Sequence, residues 1–191
     1  MQHKDIVGNS LEKKETINPF LDIDVSNIKI FVTDIDGTLT NGNLYYIPEL
    51  RDPLLKTPVS DPEIMKKFNV HDGYGGKLLL KKGISVAVLS GRKDNSSIAR
   101  VKDLGWDTVG LGVENKLEVL SEYLKKKNLE FSQVVYLGDD LNDLECILNV
   151  AVGACVSNSH SGLKKKCDFV LTKSGGDGAF RELVDMYLEC L

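Results

Sequence analysis

A chain of 191 residues is long enough for one domain with a substantial core and too short for two ordinary ones. Its net charge of -4, with 42% hydrophobic and 27% charged residues, fits a soluble globular protein and excludes nucleic acid and an anionic membrane as partners of the bulk charge. The four cysteines (Cys146, Cys155, Cys167, Cys190) form no CxxC and no ligand spacing with the three histidines, so they read as reduced thiols of a cytoplasmic protein rather than zinc ligands.

Residues 1–27 are polar and weakly periodic, are interrupted at Asn18-Pro19, and carry no apolar block of the signal-peptide kind. They read as a lead-in to a single domain over 28–191. No apolar run approaches a membrane span. Ile28, Ile30, Phe31 and Val32 predict a buried strand over 28–34. Two further strands are expected at 43–47 and 64–70, joined by a loop holding Pro48, Pro53 and Pro58; together they make a flap over about 41–72. A helix is predicted over 73–82, stopped by Gly83. Strands at 84–89, 107–109, 134–137, 150–152 and 169–171 then alternate with helices, among them 94–104, the amphipathic 115–127 and a closing helix at 178–190. That alternation predicts an α/β fold, a doubly wound open parallel sheet covered on both faces.

In such a sheet ligands bind beyond the carboxyl ends of the strands. Polar residues stand at those ends: Asp34 and Asp36, then Ser90, then Asp139, Asp140 and Asp143. Asp34 and Asp36, two residues apart in extended chain, leave the strand on the same side, and Gly37 lets the backbone turn beneath them. Two such like charges need a cation or a proton between them. The donors are hard oxygens without Cys or His, which suits Mg2+ rather than zinc. A carboxylate beside a phosphate can attack phosphorus, provided a cation and a nearby ammonium or hydroxyl neutralise the charge.

The stretch Asp34-Ile35-Asp36-Gly37-Thr38-Leu39-Thr40, Ser90 after its strand, Lys116 opening a helix and Gly138-Asp139-Asp140-Leu141-Asn142-Asp143 resemble the four motifs of the haloacid dehalogenase superfamily of phosphatases. The resemblance implies that Asp34 is the nucleophile and Asp36 the general acid and base. It implies that Ser90, Lys116 and Thr38 hold the phosphoryl oxygens. Mg2+ would be bound by Asp34, by Asp36 through its backbone carbonyl, and by Asp139, with Asp143 or Asp140 in support; a spacing of one helical turn from Asp139 favours Asp143.

Superfamily members take much of their substrate choice from inserted caps. Here there is room only for the flap and, between Ser90 and Lys116, for a helix, a strand and turns. Residues 68–75 (FNVHDGYG), 90–93 (SGRK) and 175–182 (GGDGAFRE) are similar to the capless 3-deoxy-octulosonate 8-phosphate phosphatase family. That similarity implies an acidic sugar phosphate as substrate and a homotetramer in which the flap of one subunit reaches the site of its neighbour. Arg92 and Arg181 suit a carboxylate; Arg181 reads equally as a salt bridge with a neighbouring acid, and His71 and Tyr74 either as substrate or flap contacts or as packing. His71 replaces a usual arginine, Asp177 stands where the family tail reads Gly-Gly-Arg-Gly, and the loop at 48–62 is longer than usual. Arg92 favours the octulosonate substrate and Asp177 the related nonulosonate 9-phosphates, which stand as the alternative. A non-catalytic scaffold of the same fold is disfavoured by the intact Asp34, Asp36, Lys116 and Asp139.

Overall fold

The apolar run that opens the domain folds as β1 (Ile30–Thr33), buried at every position. In the computed structural model, which describes residues 18–47 and 63–191, it is followed by β2 (Tyr45–Ile47), β3 (Glu63–Met65), α1 (Val70–Lys81), β4 (Ser85–Ser90), α2 (Asn95–Leu104) and β5 (Asp107–Leu111). Then come α3 (Lys116–Lys127), β6 (Val134–Gly138), α4 (Leu144–Ile147), β7 (Val152–Cys155), α5 (Ser161–Lys164), β8 (Phe169–Val170) and α6 (Ala179–Leu188). The proline-bearing segment and residues 1–17 lie outside the described residues.

Six strands form one parallel sheet in the order β5-β4-β1-β6-β7-β8. The chain builds outward from β1 to β4 and β5, then returns to the other side of β1 for β6, β7 and β8. The order therefore reverses at β1, and a crevice opens beyond the carboxyl ends of β1 and its neighbours. Alternation along β1 feeds two cores. Phe31 faces Phe20, Leu79, Phe180 and Tyr187, under α1 and α6. Ile30 and Val32 face Leu120, Leu124, Tyr136 and Ile147, under α3 and α4. Phe31 meets Tyr187 edge-on, with ring centroids 5.2 Å apart. Each such fully buried apolar side chain contributes about 1.5–3 kcal/mol. Phe20 is 1% exposed, so the chain joins the core before residue 28, through an aromatic residue that the weak periodicity of the lead-in conceals.

Several expected boundaries move: the strand expected at 150–152 runs over Val152–Cys155, and the largest changes lie where the flap returns to the domain. The strand predicted over 64–70 ends at Met65, and the helix predicted from 73 begins at Val70. Asn69 decides this: its side chain accepts the His71 N–H and caps the helix. Glycines at 73, 75 and 76 weaken the helical signal, yet they are there for close approach; a Cβ on Gly76 would overlap the Trp106 indole. The flap hairpin is antiparallel, pairing Tyr45 with Met65 and Tyr46 with Ile64. Among the described residues, no helix is long and apolar enough to cross a membrane.

Candidate active site

Asp34 leaves β1 in register with its neighbour, its N–H donating to Leu137 O at 2.9 Å. Its carboxylate is held at both oxygens: Oδ1 accepts from the Ile35 N–H at 2.6 Å, and Oδ2 lies 3.0 Å from Lys116 Nζ. Lys116 is the first residue of α3, whose N-cap Asn115 accepts from Glu118 N–H. Its ammonium is buried and also reaches Asp143 Oδ1 at 2.7 Å. Asp143 is completely buried and accepts four hydrogen bonds, from Lys116 Nζ, Tyr136 OH and the N–H groups of Asp139 and Asp140. Asp139 follows β6, and its Oδ1 accepts from Thr38 Oγ1 at 3.0 Å. Gly37, at φ 88°, lets this turn pass close under Asp139, where a Cβ would overlap the carboxylate.

The electrostatics are those of a site short of positive charge. Asp34, Asp139 and Asp143 each bring a carboxylate oxygen within 4.8 Å of the others, with one ammonium among them. Burial, with Asp143 beside it, raises Asp34 to about 7 against the opposing pull of Lys116. Burial and Asp143 likewise raise Asp139 to about 6. Burial alone would lower Lys116, but the two carboxylates outweigh it and hold the ammonium above its ordinary value. Hard oxygen donors with surplus negative charge fit a divalent cation such as Mg2+.

These groups border an open cleft of about 510 Å³ lined by Asp34, Asp36, Ser90, Gly91, Arg92, Lys93, Asp139, Asp140 and Asn142. Ser90, at the end of β4, is buried and its Oγ accepts from Arg92 N–H at 3.3 Å. Arg92 Nε lies 3.4 Å from Asp36 Oδ2. Asp140 is exposed and caps the turn after β6, accepting from Leu141 N–H.

A family model for haloacid dehalogenase-like hydrolases matches residues 93–183. The 3-deoxy-D-manno-octulosonate 8-phosphate phosphatase of Haemophilus influenzae is 36% identical over 165 residues, covering 86% of this chain and 85% of that one. The Escherichia coli K12 enzyme of the same name is 34% identical over 162 residues, covering 85% and 80%. The chain belongs to the 3-deoxy-D-manno-octulosonate 8-phosphate phosphatase family. Among solved structures, the Moraxella catarrhalis phosphatase in complex with magnesium ion, phosphate ion and KDO aligns with a TM-score of 0.76 at 32% identity, covering 86% of this chain and 88% of that one. The cobalt-bound Haemophilus influenzae phosphatase aligns with a TM-score of 0.75 at 36% identity, covering 86% and 90%.

In this member of the phosphatase family, not every residue singled out from the sequence meets the cleft. Thr38 is buried with its hydroxyl committed to Asp139. His71 and Tyr74 are exposed on α1 and do not line the cleft. Arg181 pairs with Asp185, Nε to Oδ1 at 2.7 Å, and its guanidinium lies 5.2 Å over the Tyr74 ring. Lys66 is a site residue that sequence reasoning misses. Its ammonium is buried against Asp36 and Asp94. A lysine beside another lysine at the end of a short strand reads as a solvated charge, and only the folded chain brings both carboxylates to it. Lys93 and Asn142 also line the cleft, each next to a motif residue, which is the one signal the sequence offers for them.

Proposed function

We propose that this chain is a Mg2+-dependent phosphatase that hydrolyses 3-deoxy-D-manno-octulosonate 8-phosphate through an aspartyl phosphate on Asp34. The observation that carries the reading is the meeting of Asp34 and Asp36 at one cleft with Ser90 and Asp139, backed by the buried Lys116. The Asp34 carboxylate attacks phosphorus as the bond from phosphorus to the sugar oxygen breaks, and Asp36 gives its proton to that oxygen. Asp36 then takes a proton from water, whose oxygen displaces Asp34 and releases inorganic phosphate. Lys116 and the Ile35 N–H orient Asp34 for the first step, and the Lys116 charge offsets that of the phosphoryl group. Ser90 donates to a phosphoryl oxygen.

Asp34, Asp139 and the Asp36 carbonyl would hold the metal. Asp143 supports the site in preference to Asp140, since it lies in the acidic cluster and its four hydrogen bonds hold Lys116 and the Asp139 turn in place, whereas Asp140 is exposed and caps a turn. Bound Mg2+ supplies the positive charge that lets a carboxylate and a phosphate approach. Arg92, on the cleft and half-exposed, is suited to the substrate carboxylate.

The flap and α1 leave Tyr45, Tyr46, Met65, Val70 and Tyr74 exposed, apolar surface that supports a homotetramer in which a neighbour's flap closes the open cleft. His71 and Tyr74 then contact substrate or flap across that interface. The enzyme acts in the cytoplasm, where its thiols stay reduced.

Phosphate release, with Mg2+ and then with chelator, tests the reading on four esters: the octulosonate 8-phosphate, a nonulosonate 9-phosphate, a hexose phosphate and p-nitrophenyl phosphate. Mg2+-dependent preference for the octulosonate ester is the expected result. Preference for the nonulosonate would reassign the substrate, and folded protein inactive on all four would return the scaffold reading.

A further inference from the structure

Lys66 stands just after β3, where the flap returns to the domain, and its side chain is 0% exposed. An ammonium has three N–H bonds, and here three acceptors take them. Asp36 Oδ2 lies at 3.0 Å, Asp94 Oδ2 at 2.6 Å and Ser97 Oγ at 2.9 Å, and Nζ is also 2.7 Å from Asp36 Oδ1. These acceptors belong to different parts of the fold. Asp36 lies in the turn after β1, Asp94 is the N-cap of α2, and Ser97 is in its first turn. Asp94 also accepts from the Ser97 N–H and Oγ, so it cannot shift without uncapping α2. The return strand is tied to α2 a second time, where Ser96 Oγ donates to the Ile64 carbonyl.

A flap could be moored more cheaply by apolar contact, because burying an ammonium carries a desolvation penalty of several kcal/mol. Here that ammonium grips the one carboxylate of the pair that Lys116 does not. Asp36 also has a second cation within reach, the half-exposed Arg92, whose Nε is 3.4 Å from Oδ2. Lys66 is buried and fully bonded, whereas Arg92 is free to follow substrate.

We propose that Lys66 is a positioning residue: it fixes the Asp36 carboxylate at the cleft, and does so only while the return strand of the flap is docked on α2. Without it, Asp36 swings toward Arg92 and loses its line to the leaving oxygen. The inference rests on the role given to Asp36 above.

The test compares two leaving groups. A sugar alcohol needs a proton as it departs, whereas p-nitrophenolate does not, and kcat/KM reports the step that forms the aspartyl phosphate. Lys66→Met is expected to lower kcat/KM about a hundredfold on the octulosonate 8-phosphate and about threefold on p-nitrophenyl phosphate. In an Asp36→Asn background the same substitution should change neither value further, since the effect runs through Asp36. Equal losses on both esters, or losses additive with Asp36→Asn, would make Lys66 a purely structural tie and overturn the inference. If thermal melts show Lys66→Met unfolded, Asp94→Asn, which keeps the α2 cap, is read on the same esters. It is expected to cost about tenfold on the sugar ester alone, and an equal loss on both again overturns the inference. Wild-type protein inactive on both esters removes the phosphatase reading itself, whereas active wild type with equal losses removes only the role of Lys66.

Discussion

At the base of the cleft, Asp34, Lys116 and Asp143 are buried and bonded to one another, while at its rim the flap and the start of α1 turn tyrosines and a methionine to solvent. The base is assembled within one chain and is held by the sheet. Each of its acidic groups follows a central strand, and its ammonium opens the helix packed behind them. The rim has the opposite character. Among the described residues, β2 and β3 pair only with each other, and Lys66 and Ser96 tie the return strand to α2. A hairpin of this size is marginal by itself and needs packing to persist. The difference separates two tasks. Chemistry depends on groups that must not move; substrate choice, in the tetramer proposed above, falls to groups that a neighbouring subunit completes.

The sharpest break in that comparison comes at the base. Asp34→Asn is expected to reduce phosphate release by at least about a thousandfold while the melting curve stays cooperative, because the substitution is isosteric and removes a buried like charge. Retained turnover would move the nucleophile elsewhere. Lys116→Met acts in the opposite sense on stability. It strands Asp34 and Asp143 without a counter-ion, and in chelator should cost about 3 kcal/mol or more in urea denaturation. A loss under about 1 kcal/mol would mean that the two carboxylates share a proton and never depended on the ammonium.

At the rim, the expected losses are smaller and fall on different parameters. Tyr46→Asp places a charge on the flap and, if the proposed tetramer forms through it, should dissociate that tetramer in light scattering. It should raise KM for the sugar phosphate about tenfold with kcat nearly unchanged, since only binding shared by ground and transition states is lost. An unchanged mass with a raised KM would make Tyr46 a substrate contact rather than an anchor of the interface.

The same division governs what is legible in the sequence. The sheet and the base of the site can be read from local signals: an apolar run ending in Asp34 and Asp36, a strand ending in Ser90, another ending in Gly138 and Asp139. Each is a contiguous pattern, because a parallel strand buried on both faces must be apolar and its ligands must sit at its end. The rim cannot be read that way. The end of β3 and the start of α1 differ from expectation because Asn69 acts as a cap only once the helix after it has formed, and three glycines hide that helix. Phe20 gives no core signal because its partners, Phe31 and Tyr187, are distant in sequence. Lys66 joins one carboxylate 30 positions before it to another 28 positions after it, so no window along the chain contains its meaning.

The smallest effect is a pH dependence that distinguishes the acidic cluster from a third raised carboxylate outside it. Asp34 (about 7), Asp139 (about 6) and Asp72 (about 6) all stand above the ordinary 3.8. Asp72 owes its rise to burial between the N-termini of α1 and α6; its Oδ1 accepts from Arg181 N–H at 2.9 Å, and its buried Oδ2 has no hydrogen-bond partner among the described residues. Each group holds a proton more tightly folded than unfolded, so its stabilising share is fully present below about pH 4 and is lost as pH rises through 6 to 7. In chelator, stability should therefore fall between about pH 4 and pH 7, by up to about 1.4 kcal/mol per pH unit for each group until its own folded value is passed. Mg2+ bound to the cluster should cancel the share of Asp34 and Asp139 but leave that of Asp72. Asp72→Asn keeps a carbonyl acceptor for Arg181 and should remove the remaining slope, raising the melting temperature at pH 8 by a few degrees (about 2–4 °C per kcal/mol) with Mg2+ present. If Mg2+ leaves the slope untouched and Asp72→Asn abolishes it, the cluster at the base takes no cation, and Lys116 alone offsets the charge of Asp34, Asp139 and Asp143.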